Sequence, residues 1–482
     1  MLKSLWHSLG NYLSIMKIDS PKEPILENIV RESFLALGYS SPNPPVAALI
    51  TDLKHQISAK AHTQRAGYNH AEREVYEIWE QDKKAKENIT SGETNKHHLY
   101  VSLEPCSHFG RTAPCRDLIL SKKPLSISVG SLDPNPLVSE KRNIQIYKDA
   151  GIEWQISKEI EESSKVFLEP FFTRIEKKRP KILLKSVVSR EGNFASKEGM
   201  SLAISNSSSN QALSLLRAKV DCILVGPKTL RIDNPSLDFR IPQAISDTLT
   251  RIDSNHNQIS NTSSSQIISS SSVSSEEVFC KSFDFWQRLH VYSKDSSIWK
   301  VHFNQFFFYQ PKRAFVISES TDLHPNFSEN QKKIQENLLI RIQEYSKMVH
   351  HQSDVDFSIL PEVLFFVISE SNRKSNNDFN EKLNELQGIP NSKFISIPNQ
   401  NFAKTILSKL AELGVNLLLV EGGNLLYQEF YDVLESQDEI LYIKSKDISI
   451  STGKAPLFAD KLKNEIYREE LDSDTWKVFK KE

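Results

Sequence analysis

The sequence predicts an α/β protein with two regions of alternating strands and helices, joined by a helical segment. In the first region, short apolar runs at residues 46–50 and 98–103 alternate with segments whose apolar residues recur at helical spacing. The same alternation begins again at residue 182 and includes a strongly apolar run at residues 415–420. A chain of 482 residues is long enough for two to three domains, which agrees with two such regions.

The first region begins with a helix that we predict over residues 23–37 and that ends at Gly38. The other helices predicted there cover residues 70–79, 115–120 and 144–150, and the strands cover residues 46–50, 98–103 and 127–130. His70 and Glu72 then lie in the first turn of one helix, and Cys115 begins the next helix. Because helix N-termini favour a thiolate over a thiol, this arrangement suits a metal-binding cysteine.

The second region follows a helical linker that we predict over residues 157–174. The predicted strands cover residues 182–185, 222–226 and 415–420, and the predicted helices cover residues 207–219 and the segment that starts at residue 424. Gly422 and Gly423 stand between the last of these strands and the last helix. A strand, a Gly-Gly turn and a helix N-terminus form a seat for an anionic phosphate, although such a pair is more often only a tight turn.

Charge and composition exclude several classes of protein. A formal net charge of −1 offers no overall attraction to nucleic acid or to an anionic membrane. Four cysteines in so long a chain argue against a disulfide framework and for a reducing compartment, so we expect a cytoplasmic protein. No apolar run approaches the length of a membrane span. Residues 1–21 lack the apolar core of a signal peptide, and we interpret them as an N-terminal extension, with Met16 as an alternative start.

One set of residues carries recognisable chemistry: His70, Glu72, Cys106 and Cys115. One imidazole and two thiolates form a three-ligand zinc site whose fourth position is open, as in catalytic zinc. His-x-Glu followed by Pro-Cys is the signature of zinc nucleobase deaminases, in which the glutamate moves protons without binding the metal. Here eight residues, rather than two, separate the cysteines. The alternatives are a structural zinc site or two unrelated thiols, and Glu72 argues against a purely structural site.

The spacing of the cysteines and three further motifs suggest a more specific family. The stretch from Glu104 to Cys115 resembles the deaminase domain of the bifunctional deaminase–reductases of riboflavin biosynthesis, the RibD family. Ser-Pro-Asn-Pro at residues 41–44, Gln-Arg-Ala-Gly at residues 64–67 and Asp-Pro-Asn-Pro at residues 133–136 also match that family. This resemblance implies a cytidine-deaminase-like three-layer domain at the N-terminus.

The second half resembles the reductase domain of the same family, which has a dihydrofolate-reductase-like fold. The matching residues come in the family's order, at 185–186, 189, 192, 201, 216–218, 221–226, 229–230, 233–237, 240 and 421–423. The whole resemblance covers about residues 22–240 and 400–445. The implied fold class is therefore α/β, with a deaminase-like domain followed by a reductase-like domain that carries a Ser-rich insertion.

The predicted domain boundaries follow from both resemblances. We expect an extension at 1–21, a zinc-dependent deaminase domain at 22–156, a helical linker at 157–178 and a reductase domain at 179–482. Residues 241–312 depart from the family as an inserted segment, whose low-complexity part at 254–275 is dominated by Ser, Asn, Gln and Thr. The aromatic-rich remainder is either a subdomain packed on the reductase or a surface for a partner or a second copy.

The resemblance implies two reactions on one small phosphorylated substrate. The first is zinc-dependent hydrolytic deamination of 2,5-diamino-6-ribosylamino-4(3H)-pyrimidinone 5′-phosphate, and the second is NADPH-dependent reduction of the ribosyl side chain to ribityl. The residues implied to bind the deaminase substrate are Asn43, His62, His108 and Arg111. Those implied to bind the reductase substrate are Lys185, Ser201, Arg217, Leu237, Arg240 and Glu421. Those implied to bind NADPH are Val188, Ala203, Thr229, Asp233, Gly422 and Gly423.

The chain departs from the family at three places in the second half and at one place in the first half. Arg190-Glu191 stands for the usual Leu-Asp, Ala203 for a Trp, and Asn234 for an Asp. Residues 139–141 read Ser-Glu-Lys where the family has Gly-x-Gly. A deaminase whose decayed reductase domain serves only as a binding module is therefore the alternative function. We expect no nucleic-acid or membrane partner, and the sequence leaves homo-oligomerisation open.

Overall fold

The computed structural model describes residues 22–87, 96–108, 113–135, 142–197, 202–241, 284–306, 310–350, 360–368 and 377–481. The chain forms two compact units. The first consists of Met1–Ala36 and Val46–Val166, and the second of Leu37–Pro45 and Phe167–Glu482. The helix Lys158–Lys177, which contains most of the predicted linker, is shared between the units.

The first unit contains a five-stranded sheet in the order β2-β1-β3-β4-β5. Its strands are β1 (Ala47–Thr51), β2 (Ile57–His62), β3 (His98–Leu103), β4 (Ser126–Ser131) and β5 (Glu153–Ile156). Its helices are α1 (Glu23–Ala36), α2 (Ala71–Glu87), α3 (Cys115–Lys122), α4 (Arg142–Asp149) and the first part of α5 (Lys158–Lys177). Strand β1 is antiparallel to β2 and β3, whereas β3, β4 and β5 run parallel.

The core of this unit lies where α1 covers the sheet. Ile25 and Ile29 of α1 pack with Ala47 and Leu49 of β1 and with Tyr100 of β3. All five residues of β1 are buried, as expected for a central strand between two neighbours. The helices and strands predicted in this region are all observed. Strands β2 and β5 were not predicted, because both lie at sheet edges and carry mixed exposed and buried residues.

The second unit is built on a nine-stranded sheet in the order β11-β10-β9-β8-β12-β6-β13-β16-β15, with a separate two-stranded pair of β7 and β14. Its strands are β6 (Lys181–Val188), β7 (Ala195–Ser196), β8 (Cys222–Val225), β9 (Lys312–Ile317), β10 (Val363–Ile368), β11 (Ser392–Ile397), β12 (Leu417–Glu421), β13 (Glu439–Ser445), β14 (Gly453–Lys454), β15 (Asn464–Leu471) and β16 (Asp474–Lys480). Its helices after α5 are α6 (Ser207–Arg217), α7 (Pro227–Ile232), α8 (Phe285–Ser293), α9 (Ser296–Phe306), α10 (Phe327–His350), α11 (Asn377–Gln387), α12 (Phe402–Glu412) and α13 (Asn424–Asp432).

The seven strands from β11 to β13 pair in parallel, and β16 and β15 complete the sheet in antiparallel pairing. The carboxyl ends of β6, β8 and β12 therefore meet at one edge of the sheet, which is the usual ligand-binding edge of a parallel sheet. Within the described ranges, no helix combines the length and apolar character needed to cross a membrane.

Residues 37–45 lie inside the predicted deaminase domain and pack with the second compact unit, and the predicted domain boundaries stay a prediction. Gly38 has φ +82, and a Cβ there would lie 2.6 Å from the carbonyl oxygen of Ala218. The Ser41 hydroxyl donates to the Gly414 carbonyl at 3.3 Å, and Arg174 donates to the Pro42 carbonyl at 2.9 Å. Polar contacts and a close backbone approach therefore hold this short segment against residues far away in the sequence.

Helices α8 and α9 belong to the predicted insertion and pack inside the second unit. The Trp286 indole N–H donates to Glu439 at 2.8 Å, and its ring lies edge-on to Trp476. Trp299 is fully buried and stacks on Phe239 with ring centroids 6.0 Å apart. This packing agrees with the first of our two interpretations of the aromatic-rich segment. The low-complexity tract at 254–275 lies outside the described residues.

Trp286→Ala should lower the free energy of unfolding by about 3–5 kcal/mol, because it removes a buried indole and its hydrogen bond to Glu439. The denaturant midpoint, followed by circular dichroism, measures this loss. Tyr68→Ala, at a residue that is 48% exposed, is the control and should leave the midpoint nearly unchanged. An unchanged midpoint in Trp286→Ala would contradict a packing role for α8.

Candidate active sites

The first candidate site brings together three ligands from separate parts of the first unit. His70 immediately precedes α2, Cys106 follows the end of β3, and Cys115 is the first residue of α3. The Nδ1 atom of His70 lies 3.6 Å from the Cys106 Sγ and 3.5 Å from the Cys115 Sγ. The three ligand atoms all lie within 4.8 Å of one another, which is the spacing of a single metal ion's donors.

Hydrogen bonding within this cluster holds one sulfur as a thiolate. The backbone N–H of Cys115 donates to the Cys106 Sγ at 3.3 Å, as helix N-termini do for anions. A hydrogen bond from Cys115 lowers the pKa of the Cys106 thiol to about 4, whereas the same bond and burial raise the pKa of Cys115. The hydrogen bond to Cys106 also raises the pKa of His70. Metal binding requires deprotonated cysteines, so the low pKa of Cys106 favours binding of a cation here.

Glu72 is placed beside this cluster without being part of it. Its side chain lies in the first turn of α2 and is only 4% exposed. Burial, with a smaller contribution from the Cys106 charge, raises the pKa of Glu72 to about 7. A carboxyl group with a pKa close to neutral both accepts and donates a proton readily, which suits a general acid–base.

Two buried tyrosines near Glu72 were not predicted from the sequence. Tyr76 lies one helical turn after Glu72 on α2, and its hydroxyl is 3.0 Å from the His97 Nε2. Tyr147 of α4 stacks on Trp154 with ring centroids 5.1 Å apart. Burial, and then the negative charge of Glu72, raise the pKa of both phenols, so both hydroxyl groups stay protonated. Helical spacing from Glu72 was the available signal for Tyr76, whereas Tyr147 is reached only through the tertiary fold.

The other residues predicted to bind the deaminase substrate differ from one another in location and in exposure. His62 ends β2 and contacts Glu32 at 2.6 Å, and His108 is exposed. Asn43 lies in the segment that belongs to the second unit, and Arg111 lies outside the described residues. Asp133, in the Asp-Pro-Asn-Pro motif, is buried, and its desolvation raises its pKa to about 6.

The second candidate site is a charged cluster at the carboxyl edge of the large sheet. Lys185 of β6 and Glu421 of β12 are direct partners in the parallel register. The Lys185 Nζ lies 3.2 Å from Glu421, and Arg217 at the end of α6 lies 3.3 Å from the other carboxylate oxygen. Against the effect of burial, these two cations lower the pKa of Glu421 to about 2. The cluster carries one net positive charge, which suits an anionic ligand.

Two helix N-termini lie beside this cluster. Gly423 is the N-cap of α13 and Gly226 is the N-cap of α7, and neither has a side-chain cap. A Cβ at Gly422 would lie 3.6 Å from the backbone nitrogen of Gly226, so the two turns nearly touch. Thr229 lies in the α7 helix. Backbone N–H groups of two helices are therefore available at one place for phosphate oxygens. The α7 N-terminus was not predicted from the sequence.

The remaining residues predicted to bind the reductase substrate or NADPH include both buried and exposed side chains. Val188 ends β6 and is buried, as is Leu237, whose φ is +52. The Arg240 side chain is 66% exposed and pairs with Asp238 at 3.0 Å, and its backbone carbonyl accepts a hydrogen bond from Ser214 of α6. Two further residues are exposed, namely Ala203 and Asp233. Ser201 lies outside the described residues.

Two known domain families match this chain. The cytidine and deoxycytidylate deaminase zinc-binding region matches residues 25–130, and the RibD C-terminal domain matches residues 180–290. The riboflavin biosynthesis protein RibD of Aquifex aeolicus is 37% identical over 203 residues, which are 42% of this chain and 53% of that protein. The RibD protein of Synechocystis sp. is 35% identical over 202 residues, or 42% of this chain and 51% of that protein.

Over these matched segments, this chain is similar in sequence to the RibD proteins. The matched part spans about half the length of the first curated relatives. The two matched domains have the order predicted from the sequence, with the deaminase-like domain first.

Two solved structures show the same fold over nearly the whole chain. A deaminase/reductase from Thermotoga maritima has a TM-score of 0.59 and 21% identity, and the match covers 95% of this chain and 97% of that one. RibD from Acinetobacter baumannii has a TM-score of 0.58 and 19% identity, and the match covers 94% of this chain and 97% of that one. The predicted fold class, a cytidine-deaminase-like domain followed by a dihydrofolate-reductase-like domain, is thereby confirmed.

Proposed function

We propose that this chain is a bifunctional enzyme of riboflavin biosynthesis that deaminates a phosphorylated diaminopyrimidinone and then reduces its sugar side chain. The observation that carries the proposal is the cluster of His70, Cys106 and Cys115 beside the buried Glu72. The likeness of both halves to RibD proteins supports the same two activities in one chain. Because the thiols must stay reduced, a reducing compartment such as the cytoplasm suits this site.

The first reaction requires a zinc ion, and the donor set fits it. One imidazole nitrogen and two sulfurs within 4.8 Å match the three protein ligands of a catalytic zinc site. Zinc bound there supplies a Lewis acid that lowers the pKa of water toward neutrality. Glu72 would take a proton from the attacking water and deliver it to the ring nitrogen of the substrate. It would then take the proton of the newly added hydroxyl and pass it to the amino group, which leaves as ammonia when the C–N bond breaks and the carbonyl forms.

The proposed substrate of this reaction is 2,5-diamino-6-ribosylamino-4(3H)-pyrimidinone 5′-phosphate, as the resemblance implies. Asn43, His62, His108 and Arg111 match the family positions that contact it. Among the described residues of this group, His62 has the most defined surroundings, because its ring is held by Glu32. The exposure of His108 agrees with a residue that meets a ligand from solvent.

The second reaction is hydride transfer from NADPH, which reduces the ribosyl side chain to ribityl. We propose that Arg217 and Arg240 hold the 5′-phosphate and that Lys185, Ser201, Leu237 and Glu421 complete the substrate site. The Nε atom of Arg217 is buried with no hydrogen-bond partner among the described residues, so it has a donor to offer to a phosphate.

The cofactor would lie along the carboxyl edge of the sheet in the second unit. We propose that its phosphates bind at the adjacent N-termini of α7 and α13, where Gly422 and Gly423 allow close approach. Thr229, Asp233, Val188 and Ala203 match the family's other cofactor positions. The small, exposed Ala203 stands where the family has a Trp, and it is the reason to test reduction separately.

A two-arm assay distinguishes the proposal from its alternative. The purified protein is given the diaminopyrimidinone phosphate with and without NADPH, and the products are identified by mass spectrometry. We expect ammonia release in both arms and a product two hydrogen atoms heavier only with NADPH. Ammonia release without NADPH oxidation would favour a deaminase with a decayed reductase domain. If neither product forms, the proposal is overturned and a zinc-stabilised binding protein is favoured.

Purified protein should contain about one zinc ion per chain, because the first unit offers one three-ligand set among the described residues. Elemental analysis under reducing, chelator-free conditions measures this content. Cys106→Ala should abolish tight zinc binding. Cys222→Ala, which removes a buried free cysteine of the second unit, is the matched control and should retain the metal. Zinc-free wild-type protein would contradict the deaminase assignment.

A further inference from the structure

The contact between His62 and Glu32 is the basis of a further inference. Glu32 lies on α1 and His62 at the end of β2, and the His62 Nδ1 is 2.6 Å from the Glu32 carboxylate. Both side chains are largely buried, with 7% exposed for Glu32 and 12% for His62. Charged side chains are seldom buried to this extent unless they are paired, so the contact is specific.

The charge state of Glu32 determines which ring nitrogen carries the proton. Although burial opposes ionisation, the hydrogen bond from His62 and the positive charges of Lys60 and Arg31 hold the pKa of Glu32 below its usual value. An ionised carboxylate is an acceptor only, so the Nδ1 atom of His62 must be the donor. In the neutral ring, Nε2 then carries the lone pair.

A short backbone loop joins His62 to the candidate metal ligand His70. After β2, the backbone N–H of Gln64 donates to the Asn69 carbonyl at 2.9 Å and closes the loop that ends at His70. The Gln64 side chain also donates to the His62 carbonyl at 3.0 Å. The residue that Glu32 orients therefore begins the same short loop that delivers the metal ligand.

We propose that Glu32 is a positioning residue for the deaminase reaction: its carboxylate accepts a hydrogen bond from the His62 Nδ1–H and so holds the imidazole ring in one orientation and as one tautomer. This inference rests on the proposed function for the identity of the substrate. The hydrogen bond itself is independent of that function, because it is formed within the first unit between two side chains of this chain.

The test combines a tautomer measurement with kinetics. Nitrogen-15 NMR of the full chain, with labelled histidines and no substrate, reports which nitrogen of neutral His62 is protonated. We expect Nδ1–H in the wild type, mixed tautomers in Glu32→Ala, and recovery of Nδ1–H in Glu32→Gln, whose amide oxygen still accepts. In ammonia-release assays, Glu32→Ala should raise KM about tenfold with a smaller change in kcat, and Glu32→Gln should largely restore KM.

Asn28→Ala is the matched control on the same helix. It removes the hydrogen bond between Asn28 and Lys60, which also joins α1 to β2, and leaves the Glu32–His62 pair in place. It should change neither tautomer nor KM. A wild-type Nε2–H tautomer, or a folded Glu32→Ala variant with unchanged KM, overturns the proposal. If the wild type releases no ammonia, the proposed function fails, while the tautomer measurement still decides whether Glu32 orients His62.

Discussion

Glu72→Gln should lower the rate of ammonia release by a factor of about one hundred or more, while zinc binding and stability remain unchanged. The amide is nearly the same size as the carboxyl group but cannot carry a proton from water to the ring nitrogen. Glu72 is buried beside the cluster, and its pKa of about 7 lets the carboxyl group both accept and donate a proton near neutral pH. Steady-state ammonia release, with zinc content measured on the same samples, checks this expectation.

Glu77→Gln provides the control for that experiment. Glu77 is on the same helix, is exposed and accepts a hydrogen bond from Asn69, so the substitution makes the same chemical change away from the cluster. Its deaminase activity should stay close to that of the wild type. Deamination at the wild-type rate in Glu72→Gln would remove Glu72 from the mechanism, and loss of zinc in that variant would show that its carboxylate supports the metal site instead.

Arg217→Ala should reduce kcat/KM for NADPH-dependent reduction by about 10- to 150-fold and leave deamination unchanged. This range corresponds to about 1.5–3 kcal/mol for a lost charge-assisted hydrogen bond to phosphate. Arg217 pairs with Glu421 in the second unit, whereas the metal ligands belong to the first. The effect is measured by following NADPH oxidation and ammonia release separately. Arg240→Ala should act in the same direction.

Arg468→Ala is the matched control for the reductase variants. Its side chain is 54% exposed and pairs with Glu465 on the edge strand β15 at 2.6 Å, so its removal changes the same charge without touching the Arg217 cluster. Both activities should remain at wild-type levels in this variant. Equal loss of deamination and reduction in Arg217→Ala would indicate general destabilisation, and the assignment of Arg217 to the phosphate would then be wrong.

The local motifs made the first candidate site predictable from the sequence. His70 and Glu72 are two residues apart, and Cys106 and Cys115 flank one loop, so short-range spacing alone indicated the chemistry. The strands next to these residues were predictable for a similar reason, because β1 and β3 are short apolar runs. These features depend on residues that are close together in the sequence, and periodicity and motif spacing detect such residues directly.

For the second candidate site, the sequence predicted which residues match family positions, but it did not predict the contacts between them. The contact between Lys185 and Glu421 depends on the parallel register of β6 and β12, which no local pattern encodes. The N-terminus of α7 reaches the Gly422 turn for the same reason. Strands β9 and β10 were not predicted, because a short apolar run such as residues 363–368 fits a buried strand and a buried helix segment equally well.

The α/β class, the order of the two domains and the candidate ligand set of His70, Cys106 and Cys115 could be predicted from residues that lie close together in the chain. The tertiary structure was needed to show that residues 37–45 pack in the second unit, that Glu32 contacts His62, and that Arg217 shares Glu421 with Lys185. These contacts join residues far apart in the sequence, and the folded packing of helices and strands, rather than local periodicity, brings them within hydrogen-bonding distance.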